Sequence, residues 1–318
     1  MTRLSLPCFL DSSKAFDRVN HRKLFAKLRE AGVAPSVADL LEFWYLNQEF
    51  CVRWGGLTSD GFTVGNGVRQ GSILSPFLYA FYLNSVSSWL SNLNIGCRYQ
   101  GSLVNHIMYA DDVCVFAHSA SGLEKLLDGL VPLAGQLDIV FNPLKSACMT
   151  FTSKNFKFLA GRGISLADGT VIPKLDKVIY LGVSLCSDLS DDCDIGRQRR
   201  ATLARGNLIG RKFVHCSIEV KKRLFLAHVA SFYAASLWRK FNAEVLRSLK
   251  VAYNDVFRLL FGYPRYEHIS PHFVELGIPT FVELRRKANV GFCLRVIESV
   301  NGLLHRSPAA LLSWDLSF

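Results

Sequence analysis

The chain has 318 residues, of which 50% are hydrophobic and 20% are charged, and it carries a net charge of +11 at pH 7. This composition excludes a disordered chain, and the length fits one large domain or two ordinary ones. The excess of positive charge favours a polyanionic partner such as nucleic acid, with an anionic membrane surface as the second possibility, whereas no stretch is long enough and free enough of charge to predict a membrane-spanning helix.

The first predicted elements are a buried strand and two helices. The apolar run from Leu4 to Leu10 predicts a strand that ends at Asp11. A first helix has an apolar face and a glycine that suits its end, and a second begins at a proline, a favoured first helical position. The residues concerned are Leu24, Phe25, Leu28 and Gly32 in the first helix, and Pro35, Val37, Leu40, Leu41 and Trp44 in the second. We expect both helices to cover a core.

A hairpin and a long helix are predicted next. Residues 50–68 alternate in short runs between glycine-containing turns, which predicts the hairpin. The segment GVRQGSILSPFLYAFYLNSVSSWL then begins as a loop bracketed by glycines, where a ligand could approach the backbone closely. Ser75 and Pro76 predict a helix start, as cap and first residue. Large side chains, including Phe77 and Phe81, occupy nearly every side of this helix, so we expect it to be buried.

The stretch HIMYADDVCVFAH carries two adjacent acids between two apolar runs. This pattern predicts two strands joined by a tight turn, with Asp111 and Asp112 at the tip of the hairpin. Neighbouring ionised carboxylates repel each other unless a cation neutralises them, and Mg²⁺ prefers oxygen ligands of this kind. The alternative is an ordinary solvated turn, in which Asp is common.

A helix and a lysine-bearing loop are predicted beyond this hairpin. Ser121 and Glu124 form a capping-box pattern for a helix that runs to about Leu137. Lys145 lies on a loop before a strand over residues 147–151.

Two strand segments follow that loop. Asp168 and Gly169 predict the turn of a hairpin. The apolar run from Val178 to Leu185 predicts one strand, in which Gly182 marks a bulge or a close backbone contact.

The acidic linker SDLSDDCD separates two regions of different character. We place a boundary near Asp194, with an α+β domain at residues 1–194 and a basic helical domain at residues 195–318. Helices are predicted over residues 219–241 and 244–261, and a third begins at a capping box of Thr280 and Glu283. A basic cluster suits a groove that holds nucleic-acid phosphates, and a solvated helix face is the alternative. The cluster consists of Arg197, Arg199, Arg200, Arg205, Arg211 and Lys212.

The nine cysteines are scattered and form no C-x-x-C pair, which favours buried thiols in a reducing compartment over a disulfide framework or a zinc site. His268 and His272 have the spacing of a zinc pair, but Pro271 lies between them and no cysteine is near. We interpret them as loop histidines.

The acids Asp11, Asp111 and Asp112 stand at the ends of predicted strands. If these strands pair antiparallel, the three carboxylates converge, as a site for two-metal nucleotidyl transfer requires. Five segments along the chain then resemble, in order and rough spacing, motifs A to E of the reverse transcriptases of non-LTR (LINE-like) retrotransposons. They are FLDSSKAFDRVNH, NGVRQGSILSPFLYAFYLN, YADDVCVF, FNPLKSACMTF and YLGV, within residues 4–185.

This resemblance implies an α+β polymerase palm, an antiparallel sheet backed by helices, followed by a helical thumb-like domain. It implies that Asp11, Asp111 and Asp112 are the catalytic acids and bind two Mg²⁺ ions, with Mn²⁺ as an alternative. Phe16 matches the aromatic residue that lies under the incoming sugar and disfavours a 2′-hydroxyl by shape, and a core phenylalanine is the alternative. Asp17 is interpreted as structural.

Further residues take roles by the same resemblance. Gln70 and Gly71 match the motif B pair that contacts the incoming nucleotide and the template, and a buried structural glutamine is the alternative. Lys145 matches the lysine that neutralises or protonates the leaving pyrophosphate, unless it is simply exposed. The segment from Tyr180 through Leu181 to Gly182 matches the primer-grip hairpin, and a plain core strand is the alternative. Ser12 stands where the family generally has an apolar residue.

The implied partners are an RNA template, a DNA primer and deoxynucleoside triphosphates, with no membrane partner. A nuclear or cytoplasmic location is expected from the resemblance alone, because no targeting signal is recognised. The family has a fingers region before motif A, so we expect a palm and thumb that lack these fingers, as in a truncated or decayed copy. A catalytically inactive nucleic-acid-binding remnant is the alternative function, and an RNA-templated RNA polymerase, which Phe16 argues against, is a third.

Overall fold

The computed structural model describes residues 5–99, 101–151 and 163–302. The chain divides into two compact units, the first formed by Met1–Arg98 with Leu103–Leu175 and the second by Tyr99–Ser102 with Asp176–Phe318. We describe each unit by itself. Within the described ranges, no helix is both long enough and apolar enough to cross a membrane.

The helices and strands are as follows. The strands are β1 Leu6–Leu10, β2 Glu49–Phe50, β3 Arg53–Trp54, β4 Leu57–Thr58, β5 Phe62–Thr63, β6 Cys97–Tyr99, β7 Ser102–Val104, β8 His106–Tyr109, β9 Asp112–Ala117, β10 Ala147–Cys148, β11 Ile164–Ser165, β12 Val171–Ile172, β13 Lys177–Tyr180 and β14 Val183–Cys186. The α-helices are α1 His21–Glu30, α2 Pro35–Leu46, α3 Ser75–Asn92, α4 Ala120–Gly135, α5 Asp192–Lys212, α6 Ile218–His228, α7 Ala243–Phe261, α8 Ser270–Glu275 and α9 Phe281–Ile297. Short 3₁₀ turns occupy Phe16–Arg18 and Ala235–Leu237.

An antiparallel sheet in the order β10-β1-β9-β8 forms the centre of the first unit. Strand β1 is buried along its whole length, as its apolar sequence predicts, although its predicted first residue, Leu4, lies outside the described residues. Helices α1, α3 and α4 supply apolar side chains to the same core as β1 and β9. The predicted α+β class, a sheet backed by helices and followed by a helical unit, is therefore confirmed.

Several local predictions hold because the turn residues suit their positions. Gly32 follows α1 with a φ of 80°, in the left-handed region that favours glycine at a helix end. The hairpin predicted within residues 50–68 forms as two nested pairs, β2 with β5 and β3 with β4. Asp168 and Gly169 turn the β11–β12 hairpin, and the capping box of Thr280 and Glu283 starts α9.

The expected core-facing side of α2 is wrong. Leu40 is 66% exposed, and the other apolar residues of that side are also partly or largely exposed. The buried residues are Ala38 and Tyr45 instead, because Tyr45 packs edge-on against His21 and Phe25 of α1. Hydropathy alone ranks Leu above Tyr for burial, and here aromatic packing decides the orientation of the helix.

The expectation that α3 is buried holds for one side of the helix only. Leu78, Tyr82 and Val86 recur at helical spacing and are buried. Phe77, by contrast, is 65% exposed and stacks on Phe81 at 6.5 Å between ring centroids, outside the buried face. The helix therefore has one buried stripe.

Two helix ends differ from prediction. Ser119, rather than Ser121, caps α4, since its hydroxyl accepts a hydrogen bond from the Gly122 amide. The helix predicted over residues 219–241 ends at His228 and gives way to an irregular segment in which Ala234 has a left-handed φ of 60°. A left-handed residue cannot continue a right-handed helix.

The single strand predicted from Val178 to Leu185 is wrong, because β13 and β14 pair antiparallel as a hairpin. The turn residues, Leu181 and Gly182, both have positive φ values, of 46° and 74°. Two consecutive left-handed residues are the pattern of a type I′ turn, which suits the twist of the strands that it joins. The glycine is therefore a turn residue and not a bulge within a strand.

The compact units divide between Leu175 and Asp176, whereas the sequence places a boundary near Asp194. The β13–β14 hairpin goes with the second unit because the Ser184 amide donates to the Asp194 carboxylate of α5, at 3.1 Å. The assignment of residues 1–194 and 195–318 to two functional domains stays a prediction.

Helices α5 and α7 form the centre of the second unit, and a glycine permits their close approach. A methyl group on Gly206 would lie 2.4 Å from Cγ2 of Val256. Valine is stiff about χ1 and cannot swing aside easily. Gly210, one turn further along α5, is not constrained in this way, since a methyl group there would lie 3.4 Å from Leu259.

We predict that Gly206→Ala lowers the free energy of unfolding of the chain by about 1–3 kcal/mol through overpacking. Gly210→Ala is the matched control and should raise it by up to about 1 kcal/mol, because alanine favours the helix more than glycine does. Urea denaturation followed by circular dichroism measures both changes. Equal effects of the two substitutions would show that the α5–α7 contact is looser than described.

Candidate active site

Asp11 follows the buried strand β1, and its backbone is held on both sides. Its amide donates to the Ser146 hydroxyl at 3.1 Å, and its carbonyl accepts from the Asn142 amide at 2.8 Å. The Ser146 hydroxyl in turn donates to the Asn142 carbonyl at 2.7 Å. These contacts fix the backbone at the end of the strand and therefore the position from which the Asp11 side chain extends.

Asp111 and Asp112 lie at the turn between β8 and β9. Tyr109 and Asp112 are the last paired residues, so Ala110 and Asp111 form a two-residue loop. Ala110 has a φ of 51°, whereas the φ of Asp111 is not positive, which is the pattern of a type II′ turn. A non-glycine residue at this position carries a strain of roughly 1 kcal/mol or more, and such strain is common at functional sites.

The pairing of β1 with β9 brings the three acids together. Leu10 lies opposite Val113, so Asp11 and Asp112 are the next residues of the two strands at the same end of the ladder. Ser12 joins the strands further, because its hydroxyl donates to the Asp111 carbonyl at 3.2 Å. Ser12, which stands where reverse transcriptases generally have an apolar residue, is thus 8% exposed and hydrogen-bonded to the acidic turn.

The acids also affect one another electrostatically. Burial raises the pKa of the Asp112 carboxyl, and the negative charges of Asp111 and Asp11 raise this pKa further. Like charges that disfavour ionisation in this way are stabilised by a cation placed among them. The solvated-turn alternative does not explain why a third acid, a hundred positions earlier in the chain, lies at the same turn.

The donor set fits a hard divalent ion, because carboxylate oxygens are the ligands that Mg²⁺ and Mn²⁺ take. Within the part of the chain that the structure describes, no three His, Cys, Asp or Glu side chains are grouped closely enough to hold a metal ion. The backbone therefore places Asp11, Asp111 and Asp112 next to one another, while their carboxylate groups lie farther apart than the ligands of one metal ion.

Phe16 lies within motif A, in the 3₁₀ turn that follows β1. Its ring stacks on Tyr79 of α3, with 4.8 Å between centroids and 12° between planes. Its carbonyl accepts from the Val68 amide at 2.8 Å, which joins motif A to the segment before Gln70. Tyr79 is fully buried, and its pKa is raised by this burial and by the charge of Asp111. Phe16 thus lies partly buried on an aromatic support next to the acids.

Gln70 and Gly71 are exposed, which excludes the alternative of a buried structural glutamine. Gly71 has a left-handed φ of 86° in the loop before α3. Lys145 is exposed on the turn before β10, and its amide donates to the Asn142 carbonyl at 3.2 Å. An exposed lysine agrees with both interpretations made from the sequence.

In the second unit, Tyr180, Leu181 and Gly182 occupy the end of β13 and the hairpin turn, which excludes the plain core strand. The Gly182 carbonyl accepts from the Arg197 guanidinium at 2.6 Å. A methyl group on Gly182 would lie 3.1 Å from the Tyr233 ring, so the glycine also permits a close contact.

Arg197 is not a free member of the predicted basic cluster. Its guanidinium forms an ion pair at 2.6 Å with Asp194, whose side chain is fully buried. Asp194 also accepts from the indole nitrogen of Trp238 at 2.9 Å. Sequence reasoning placed Asp194 in an acidic linker and missed this role, for which the only local signal was its position in the first turn of a helix. The other five residues of the cluster are exposed on α5.

His272 serves a structural purpose. Its Nε2 lies 2.7 Å from the Glu267 carboxylate, and its ring stacks on Tyr263 with 4.1 Å between centroids. Hydrogen bonding to Glu267 and then to Glu275 raises the pKa of this imidazole. His272 lies in α8 and not in a loop.

The family described as "Reverse transcriptase (RNA-dependent DNA polymerase)" matches residues 4–185, more than half of the chain. The RNA-directed DNA polymerase from mobile element jockey of Drosophila funebris is 24% identical over 314 residues, which cover 95% of this chain and 33% of that protein. The probable RNA-directed DNA polymerase from transposon X-element of Drosophila melanogaster is 27% identical over 265 residues, 80% of this chain and 28% of that protein. The chain thus spans about a third of the length of these curated relatives.

Solved structures of telomerase from Candida tropicalis are also similar. The apo form has a TM-score of 0.46 at 13% identity, covering 98% of this chain and 50% of that chain. The complex with a fragment of telomeric RNA has a TM-score of 0.45 at 11% identity, covering 99% of this chain and 50% of that chain.

The raised pKa of Asp112 generates a prediction for the protein without divalent cations. Because this pKa is higher in the folded than in the unfolded chain, the folded state binds the proton more tightly. The stabilisation that results is complete below the pKa of the unfolded state and is lost as the pH rises through the pKa of the folded state. Asp112→Asn should therefore increase the free energy of unfolding at pH 7, and the increase should shrink as the pH falls below 3.8, the ordinary value for Asp.

Chemical denaturation in the presence of EDTA, at pH 7 and at a pH below 3.8, measures this effect. Asp60→Asn, which removes an exposed carboxylate from a loop of the same unit, is the matched control and should change the stability little. A loss of stability for Asp112→Asn at pH 7 would contradict the repulsion described among the three acids.

Proposed function

Because this chain belongs to the reverse transcriptase (RNA-dependent DNA polymerase) family, we propose that it performs RNA-templated DNA synthesis and that its lineage is that of a non-LTR retrotransposon. The reaction joins the α-phosphate of a deoxynucleoside triphosphate to the 3′-hydroxyl of a primer and releases pyrophosphate. The observation that carries the proposal is the meeting of Asp11 with Asp111 and Asp112 at one end of the β1–β9 ladder.

These three carboxylates would hold two Mg²⁺ ions, or Mn²⁺ in their place, which supply charge neutralisation at the reacting phosphate and lower the pKa of the primer hydroxyl. Asp11 is positioned by Ser146 and Asn142, and the acidic turn is positioned by Ser12. Such fixed positions matter because misplacement of a reacting group by about 1 Å can cost a hundredfold in rate.

Phe16 would select the sugar. Its ring is supported by the buried ring of Tyr79, so it cannot retreat when a ribose 2′-hydroxyl presses against it. Exclusion by a fixed surface discriminates through the cost of a clash. Gln70 and Gly71, which are exposed in the loop before α3, would contact the nucleotide, and the exposed Lys145 would contact the pyrophosphate.

In the second unit, we assign Tyr180, Leu181 and Gly182 to the primer grip. Exposed basic residues of α5, including Arg199 and Arg200, would contact the phosphates of the template–primer hybrid. A polymerase must accept any sequence, so contacts to phosphates and to the shape of the hybrid are the suitable mode of binding.

We predict that the chain extends a DNA primer on an RNA template only with a divalent cation present. Asp11→Asn, Asp111→Asn and Asp112→Asn should each lower the rate by roughly a hundredfold or more, because each removes charge that holds the ions. Primer extension resolved on sequencing gels measures this loss.

Asp60→Asn should leave the rate unchanged in the same assay, as the control for removal of a carboxylate elsewhere. Undiminished extension by Asp111→Asn and Asp112→Asn would show that the acids are assigned wrongly. Binding of the hybrid without any extension by the unaltered chain would favour an inactive nucleic-acid-binding remnant.

For Phe16→Val, we predict that incorporation of ribonucleotides relative to deoxynucleotides rises by about ten- to a hundredfold, as expected when a pocket gains a few methylene volumes. Single-turnover incorporation with matched rNTP and dNTP measures the ratio. Phe77→Val, at a phenylalanine that is 65% exposed on α3, is the control and should leave the ratio unchanged. An unchanged ratio in Phe16→Val would make Phe16 a core residue.

A further inference from the structure

A cavity of about 370 Å³ lies in the first unit beside the loop that carries Gln70. This volume is at the lower end of the range for pockets that take small molecules. Its walls come from motif A, α1, the segment around β2 and the loop before α3. They include His21, Gln48, Phe50, Val64, Arg69 and Gln70. We call it the Gln48 cavity.

Two residues of the Gln48 cavity have a buried polar atom that no protein group satisfies. His21 is 4% exposed, and its Nε2 donates to the Gly67 carbonyl at 2.7 Å, which leaves the lone pair of Nδ1 without a donor. Gln48 is 7% exposed, and its Oε1 accepts from Arg69, which leaves the Nε2 hydrogens without an acceptor. Buried polar atoms without a partner destabilise the fold until a partner binds them, and they call for an explanation.

The guanidinium of Arg69 contacts Gln48 and Phe50, two other residues of the cavity wall. Its Nε donates to the Gln48 Oε1 at 2.9 Å, and its Cζ lies 4.9 Å from the centre of the Phe50 ring. Arg69 is nevertheless exposed to solvent. Nucleobases stack on such planes of arginine and on aromatic rings.

The Gln48 cavity adjoins the proposed active site and shares with it Gln70, the residue proposed to contact the nucleotide. Gly67, in its wall, packs against the backbone of Asp17 so closely that a methyl group would lie 3.1 Å from it. Asp17 follows Phe16, which stacks on Tyr79, and the charge of Asp111 acts on Tyr79. The cavity is therefore one layer of residues beyond the proposed sugar contact.

We propose that the Gln48 cavity binds the base of an unpaired nucleotide, an inference that rests on the proposed function. Gln48 Nε2 donates to an acceptor of the base, His21 Nδ1 accepts from an amino group, and Arg69 stacks on the ring. On their base-pairing edges, adenine and cytosine offer an amino group beside a ring acceptor, so they fit best. The nucleotide comes from the single-stranded template ahead of the primer, or it is a free nucleotide.

The test measures the affinity of the whole chain for three RNA–DNA hybrids by fluorescence anisotropy. The first is blunt, the second has a 5′ RNA overhang of adenines, and the third has the same overhang with abasic sites. We expect the adenine overhang to tighten binding about fivefold or more over the blunt hybrid, as one stacked base does, and the abasic overhang to bind as the blunt hybrid does. Because this comparison uses the unaltered chain, it does not depend on the folding of a variant.

Gln48→Glu is the sharpest variant, since it keeps the oxygen that receives Arg69 and replaces only the donor nitrogen. It should remove most of the gain from the adenine overhang and leave the blunt hybrid unaffected. Gln136→Glu adds the same charge at an exposed position and is the matched control. Equal binding of the blunt and adenine hybrids, or a gain that persists with abasic sites or in Gln48→Glu, overturns the proposal.

Titration with dATP separates the two sources of the base. If the chain binds dATP, if Gln48→Glu abolishes this binding, and if excess dATP removes the tighter binding of the adenine overhang, the cavity binds a free nucleotide. An overhang gain that excess dATP leaves intact supports the template strand. If no hybrid binds, the proposed function is refuted. The comparison of dATP binding by the unaltered chain and by Gln48→Glu would still show whether the cavity binds a base.

Discussion

The antiparallel pairing of β1 with β9 is the contact on which the rest of the first unit depends. It buries two apolar strands side by side and, as a direct consequence, brings acids from distant parts of the chain to one end of the ladder. Burial of the strands supplies the favourable free energy, while the proximity of Asp11, Asp111 and Asp112 opposes it through charge repulsion. Repulsion of this kind is relieved when a cation lies among the carboxylates.

Much of this arrangement could be predicted, because the signals are local. The apolar run before Asp11 specifies a strand, and the paired acids between two apolar runs specify a hairpin. The order of the motifs then indicates that Asp11 and the Asp111–Asp112 pair, a hundred residues apart in the sequence, belong to one site. By contrast, the contacts that position the acids involve Ser12, Asn142 and Ser146, and nothing in their neighbouring sequence indicates which backbone group each will meet.

The errors made from the sequence have a common physical origin in tertiary packing. The apolar side of α2 is more hydrophobic than the side that carries Ala38 and Tyr45, yet aromatic contacts to α1 bury the latter. The apolar run around Gly182 has the hydropathy of one strand, but two left-handed residues turn it back on itself. Asp194 has the sequence context of a linker, and only the arrival of Trp238 and Ser184 makes it a core residue.

The buried Asp194 has a further consequence for how the second unit opens and closes. An ionised carboxylate without solvent contact is tolerable only when its donors are all in place, and these donors come from a hairpin, a helix and an irregular segment. Loss of any one of them leaves this buried carboxylate short of a hydrogen bond or of its counter-charge, so we expect the three parts to unfold together. In native-state hydrogen exchange, the Ser184 amide would then report a cooperative opening of this region and not local fraying.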